Sequence, residues 1–142
     1  MDTFETVVFT SIVVGLILLI SIGFLITRKS SGSGWKDNFR VKHKELVILS
    51  QNSDIIFVRS AVTEADKLLD AILLKYLLPG NTMGERLGNA HSIFSDKANL
   101  ERAWRGHKVR NSLAHDMTYN PDIKALRYAF ADLSASIKDL LE

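Results

Sequence analysis

Arg110-Asn111-Ser112-Leu113-Ala114-His115 puts a permanent cation and a titratable base close together, a pairing suited to phosphate chemistry. A guanidinium grips a phosphate through two parallel N–H donors, and an imidazole moves protons near neutral pH. Together they suit the chemistry of RNA or nucleotides. The spacing alone carries little information, because it recurs at Arg86 and His91 and at Arg102 and His107. A chain with eight arginines and four histidines is expected to contain such pairs.

Helix geometry sharpens the question. His107, Asn111 and His115 recur every four residues and share one helical face, with Arg110 three residues on from His107. Arg110 and His115 are five residues apart, which turns them about 140° from each other. One straight helix does not bring them together. They converge if the helix ends near Ala114, or if a second protomer packs its own pair opposite, so the geometry favours a site shared across a dimer.

The same stretch is basic. Lys97, Arg102, Arg105, Lys108 and Arg110 face only Glu101 as a counter-charge. A basic stripe with an aromatic neighbour, here Trp104, can serve nucleic acid; the bland alternative is a solvated face with an apolar back, in which Trp104 is a core residue. Other chemistries find less footing. His107 and His115 are two turns apart with no H-E-x-x-H motif, and the chain has no cysteine, so neither a metal site nor a cofactor is expected. Ser112 has no base and orienting partner to make it a nucleophile. Pro79-Gly80 and Gly84 read as helix punctuation and not as a phosphate loop. His43 and His91 read as solvated or structural. Asp66 and Asp70 form an i, i+4 like-charge pair, expected on a solvated face, although an acid there could orient Arg110.

These residues need elements to position them. The chain has 142 residues, a net charge of +2 and few aromatics, which allows one compact domain with an appendage and excludes a generic polyanion binder. The absence of cysteine fits a reducing compartment. Val7 to Ile26 is free of charge and spans about 30 Å as a helix, the thickness of a bilayer core. The acidic start Met1-Asp2-Thr3-Phe4-Glu5 and the length of the run argue against a cleaved signal peptide. Asp2 and Glu5 precede the span while Arg28 and Lys29 follow it, so residues 1–6 are expected outside and the C-terminal part in the cytoplasm. Residues 27–35, with Ser30-Ser31-Gly32-Ser33-Gly34, read as a flexible tether. Lys36, Arg40, Lys42 and Lys44 beyond it either rest on anionic lipid headgroups or form a solvated helix face.

Residues 36–142 read as helices. A first segment runs from about Asp37 to Ser50. Ser53-Asp54 caps a long helix whose apolar stripe is Ile55, Val58, Val62, Ala65, Leu69, Ile72 and Tyr76, ended by Pro79-Gly80. Thr82-Met83-Gly84-Glu85 is a capping box for a short helix reaching about Phe94. Ser95 or Asp96 caps the next long helix, with Leu100, Ala103 and Trp104 inward and His115 near its end. Asn120-Pro121-Asp122 gives an N-cap, a first-position proline and a first-turn acid to a last helix with the stripe Ile123, Leu126, Phe130, Leu133, Ile137 and Leu140. The fold class is all-α: an antiparallel bundle of four to five helices preceded by one transmembrane helix.

At this point Lys108 to His115 resembles the R-x4-6-H signature of HEPN domains, including the polar residue directly after the arginine. Ala61 to Leu73 is similar to the long first core helix of bacterial members, and the motif falls on the third long helix, as in that family. The resemblance covers about residues 53–142 and leaves the membrane span outside. It implies a helical homodimer with the motif helices lining a cleft between subunits. Catalytic members are metal-independent endoribonucleases, so Arg110 is expected to bind phosphate, His115 to transfer a proton and Asn111 to assist. Many members only bind RNA, nucleotides or proteins. In one toxin branch an antitoxin modifies a tyrosine two residues after the histidine; Met117 stands there, which argues against that regulation.

Three readings follow for the sequence. The first is a single-pass protein of the cytoplasmic membrane that cleaves RNA at its inner face. The second is a non-catalytic RNA-, nucleotide- or protein-binding module in signalling or defence, with nucleic acid held by Lys97, Arg102, Arg105 and Lys108. The third is a structural membrane adaptor whose helices pair with another protein.

Overall fold

The computed structural model describes residues 13–21 and 34–142. The expected membrane span from Val7 to Ile26 and the tether at 27–35 lie largely outside the described residues. Residues 13–21 are helical, α1, with Leu16 to Ile20 exposed. Among the described residues no helix is long and apolar enough to cross a membrane. The chain divides into two units, Met1–Asp37 and Asn38–Glu142.

All described secondary structure is helical: α2 (Gly34–Ser50), α3 (Ile55–Lys75), α4 (Met83–Gly88), α5 (Lys97–His115) and α6 (Ile123–Leu141). The caps explain the boundaries. Asp54 accepts from the Ile56 amide at 2.9 Å and starts α3, and Asp96 accepts from Asn99 at 2.7 Å and starts α5. Both satisfy amides that have no partner within the helix. The acid selected for α5 is Asp96. Ser95 instead ties the helix start to α6, donating its amide to Asp139 Oδ2 at 2.9 Å.

Three ends differ from expectation. α3 stops at Lys75, four residues before Pro79. Its end is a Schellman motif: Leu78 donates to Leu73 O at 3.4 Å and Leu77 to Leu74 O at 3.0 Å. This places Leu77 at φ 57°, the left-handed region usually kept for glycine. α4 ends at Gly88 and not near Phe94, because the amides of Asn89, Ala90 and Ile93 turn back on carbonyls three residues earlier. Its capping box is displaced by one residue: Thr82 Oγ1 accepts from Glu85 at 3.2 Å, while Glu85 Oε2 accepts from Asn81 at 2.6 Å. The cap of α6 is Asp122, whose Oδ1 accepts from Ala125 at 2.7 Å, so Pro121 precedes the cap instead of opening the helix.

Long-range hydrogen bonds define how the helices of the second unit run. Arg127 near the start of α6 donates to Asn52 O at 3.0 Å, just before α3. Tyr76 Oη at the end of α3 donates to Leu140 O at 2.6 Å, near the end of α6. α3 and α6 are therefore parallel and pack directly. α5 runs against α6: Ser136 Oγ donates to Asn99 O at 2.8 Å, and Arg105 grips Asp132 with two bonds of 2.9 Å. α5 therefore runs antiparallel to both α3 and α6.

The expected stripes form this core. Val58, Val62, Ala65, Leu69 and Ile72 of α3 are fully buried against Leu126, Leu133 and Ile137 of α6. α5 joins through Leu100 and Ala103, while Trp104 is only half-buried. Gly106 lets α5 approach: a Cβ there would lie 2.4 Å from Leu133 Cγ and 3.2 Å from Ala129 O. From Asn38 onward α2 is tied to α6 by side chains. Arg40 donates to Leu141 O, and His43 Nε2 lies 2.7 Å from Ser134 Oγ. His43 is buried, as its structural reading required.

Candidate functional site

α5 winds at close to four residues per recurrence, so Trp104, His107, Lys108, Arg110 and Asn111 line one side of it. That side faces α3 and α4. Opposite, α3 contributes Asp66, buried to 2% exposure. This overturns the solvated face expected for Asp66 and Asp70. The stripe of α3 is wider than one heptad seam, with Ala61, Leu68 and Leu73 also buried, and Asp66 falls inside it. A buried carboxylate requires partners. Asp66 has two.

The partners form a closed ring. His107 Nδ1 lies 2.9 Å from Asp66 Oδ1, and Asn111 Nδ2 lies 3.1 Å from His107 Nε2. Arg110 Nη1 donates to Asn111 Oδ1 at 3.2 Å, and Arg110 Nε lies 3.2 Å from Asp66 Oδ2. The chemistry of the groups sets every direction. Arginine only donates, so the Asn111 oxygen must face it. The Asn111 amide then donates to His107 Nε2, and Nδ1 of His107 carries the proton given to Asp66. The contact from Arg110 Nε to Asp66 is an ion pair without a hydrogen bond, because the N–H is poorly aimed.

A cavity of about 550 Å³ opens beside the ring. Asp66, His107, Arg110 and Asn111 line it together with Lys67, Lys108 and Trp104. Gly84 and Thr82 form its wall toward α4. Arg86 and Asp70 close one end. Arg86 donates through Nε and Nη2 to Asp70 at 2.7 and 2.8 Å, and through Nη1 to Gly80 O at 2.6 Å. Arg86 is thus a buried structural arginine, and its former partner in spacing, His91, is exposed after α4.

The expected site residues divide. Arg110 and Asn111 are in the ring. His115 is exposed at the last position of α5, and it forms no hydrogen bond or ion pair with the described residues. Next to it Asp116 ends the helix in a tight turn. Its Oδ1 accepts from the Thr118 hydroxyl at 2.6 Å and the Thr118 amide at 2.9 Å, which holds its carboxyl below the usual range. Of the basic stripe, Arg105 is committed to Asp132, an interaction that raises its pKa; Arg102 donates to Asn99 at 3.2 Å, and Lys97 lies 3.6 Å from Glu101. Lys108 is exposed and pairs with no described residue.

Sequence reasoning undervalues Asp66 and His107: it allows an acid on α3 to orient Arg110 but expects a solvated face there. His107 looked like an accidental repeat of the spacing. The signal lay in its face: it is one turn from Asn111 and on the buried side of an otherwise polar helix. Comparison with protein-family models, with curated proteins and with solved structures finds no match to the chain.

Proposed function

We propose that the helical domain is a HEPN-like module that binds the phosphate of RNA or a nucleotide through Arg110, held at the inner face of the cytoplasmic membrane by Val7 to Ile26. The ring around Arg110 carries this reading. Asn111 Oδ1 accepts from Nη1, and the Asp66 carboxylate lies 3.2 Å from Nε as an ion pair, so the planar guanidinium has an anchor on two sides before any ligand arrives. Nη2 makes no hydrogen bond to a described residue, and the side chain lines the cavity with Lys67 and Lys108. A preorganised guanidinium loses little freedom on binding, which is where affinity for a planar oxyanion pair comes from.

The test is binding of a short labelled RNA to the full chain in detergent, with chelator present. Arg110→Lys keeps the charge but loses the fork, and a drop in affinity of about tenfold or more is expected. Unchanged affinity in Arg110→Ala rejects the reading.

One observation favours metal-independent cleavage by the same site. Asp66 orients His107 through Nδ1, the arrangement by which a carboxylate sets the tautomer of an imidazole base. Among the described residues the hydrogen-bond partner of Nε2 is the Asn111 amide. A ribose 2′-hydroxyl that displaces this amide meets a base already oriented. In the resemblance the proton-transfer residue is His115, reached across a homodimer. Cleavage assays on His107→Ala and His115→Ala separate the two routes. Loss of the proton-transfer residue costs about 10² to 10⁴ in rate. Cleavage unaffected by either change, or absent in the wild type, leaves the binding reading alone.

A further inference from the structure

Two cavities meet at one tryptophan. The polar cavity beside Arg110 and a shallower one, lined by Glu101, Trp104, Arg105 and Lys108, share Trp104 and Lys108. Trp104 is half-buried, so its indole is neither core nor loose surface. It meets the His107 ring edge-on, with centroids 6.2 Å apart and planes at 69°. From α4 it is approached at Gly84, where even a Cβ would stand 3.8 Å from Trp104 Cη2 and 3.9 Å from His107 Nε2. These are ordinary van der Waals distances, so α4 packs close to both rings and Gly84 leaves space there for little more than a methyl group. Lys108, one helical turn beyond Trp104, is the cation between the cavities that pairs with no described residue. The others have partners: Lys67 lies 2.8 Å from Glu64, and Arg105 is bound to Asp132.

We infer that the ligand of this cleft carries an unpaired nucleobase, which stacks on Trp104 while its phosphate lies on Arg110 and Lys108. The inference rests on the phosphate-binding reading and adds the ligand's other half. A phosphate alone has no use for an aromatic surface at the mouth of a cationic cavity. A base does, since every base offers a π-face, and stacking on an aromatic side chain is worth roughly 5- to 150-fold in affinity. A duplex is a poor fit, because its bases already stack on each other and offer only their edges. The ligand class is therefore a mononucleotide or a single strand.

The experiment uses the full chain in detergent with Trp35→Phe, which leaves Trp104 as the sole indole of the two in the sequence. Its emission is followed during titration with adenosine monophosphate, a single-stranded oligoadenylate, ribose 5-phosphate and inorganic phosphate. Stacking quenches the indole with the two base-bearing probes and leaves it unchanged with the two others. Trp104→Leu is expected to lower oligoadenylate affinity by roughly 5- to 150-fold, with Trp104→Phe recovering most of it. Ribose 5-phosphate affinity stays the same in both. Gly84→Leu, which fills the space next to an intact Trp104, abolishes the quenching. Should Trp104→Leu not fold, the quenching pattern in the Trp35→Phe chain decides by itself.

Unquenched emission with saturating oligoadenylate overturns the stacking inference. The phosphate reading then survives as long as Arg110→Ala weakens binding. If Arg110→Ala binds all four probes as the parent does, both fall together. A stronger response to oligoadenylate than to the mononucleotide assigns the site to a strand; equal responses assign it to a free nucleotide.

Discussion

Gly106→Ala tests the packing that sets α5 against its neighbours. The added Cβ would stand 2.4 Å from Leu133 Cγ and 2.7 Å from Leu133 Cδ2. Carbon atoms rest at about 3.5 to 4.0 Å, so something must move by roughly 1 Å. Leu133 is fully buried, and Ala129 O lies 3.2 Å from the added Cβ. Overpacking of this kind costs about 1 to 3 kcal/mol, and so severe an overlap belongs at the upper end. Alanine's better helix propensity returns about 1 kcal/mol. The net is a loss of about 2 kcal/mol, or about 10 °C in Tm for a domain of this size. Thermal melting of the full chain in detergent, followed by circular dichroism at 222 nm, reads it directly. The partner variant makes the cause specific. Leu133→Ala alone costs about 2 to 5 kcal/mol, but it also makes room for the new methyl, so the double variant should fall short of the summed losses by at least about 1 kcal/mol. A Gly106→Ala chain as stable as the parent, or strictly additive losses, refutes the close approach. His107 follows Gly106 directly, so the displaced helix should also weaken ligand binding.

Four further outcomes are expected. Asp70→Ala leaves the Arg86 guanidinium buried with one partner lost and should cost about 3 to 5 kcal/mol in denaturant titrations, whereas a loss below 1 kcal/mol would show that water replaces the carboxylate. Leu77→Gly relieves a left-handed leucine that is 87% exposed, so it should stabilise the chain by about 1 kcal/mol, read as a raised melting temperature. Burial, then the nearby Lys138, holds His43 below its ordinary pKa of 6.5, and Arg40 and Lys44 line the same cavity. The unfolded chain takes up that proton first, so the contribution is complete above pH 6.5 and is lost as pH falls below it; melting at pH 7.5 and 5.5 should differ less in His43→Gln. Finally, His115→Ala should leave stability within about 0.5 kcal/mol, while His107→Ala should cost about 1 to 3 kcal/mol by stranding Asp66 and Asn111.

Much of the helical layout was legible in the chain because it is written locally. The stripes of α3 and α6 repeat at steps of three and four, and Asp54, Thr82 and Asp96 are short oxygen-bearing side chains placed where a helix must start. Boundaries that depend on competing local signals were read less well. Pro79-Gly80 is a strong stop, yet the chain had already turned at Leu77, since the Schellman bonds to Leu73 and Leu74 form first along the helix.

The ring around Arg110 was legible in half. Arg110 and Asn111 stood out by residue type and spacing, and Trp104 and Lys108 by their place in a basic stripe. Asp66 could not be assigned from sequence, because a carboxylate beside Lys67 and four residues from Asp70 looks solvated until the partner helix is known. The same holds for His107, one of several histidines at one spacing. Their pairing needs α5 to run against both α3 and α6, and it needs Gly106 to let α5 come close. Residue type and period determine which side chains each helix can offer to one face. Which of those faces meet, and so which acid finds which base, is decided only when the helices pack, because burying a charge is tolerable only opposite its partner.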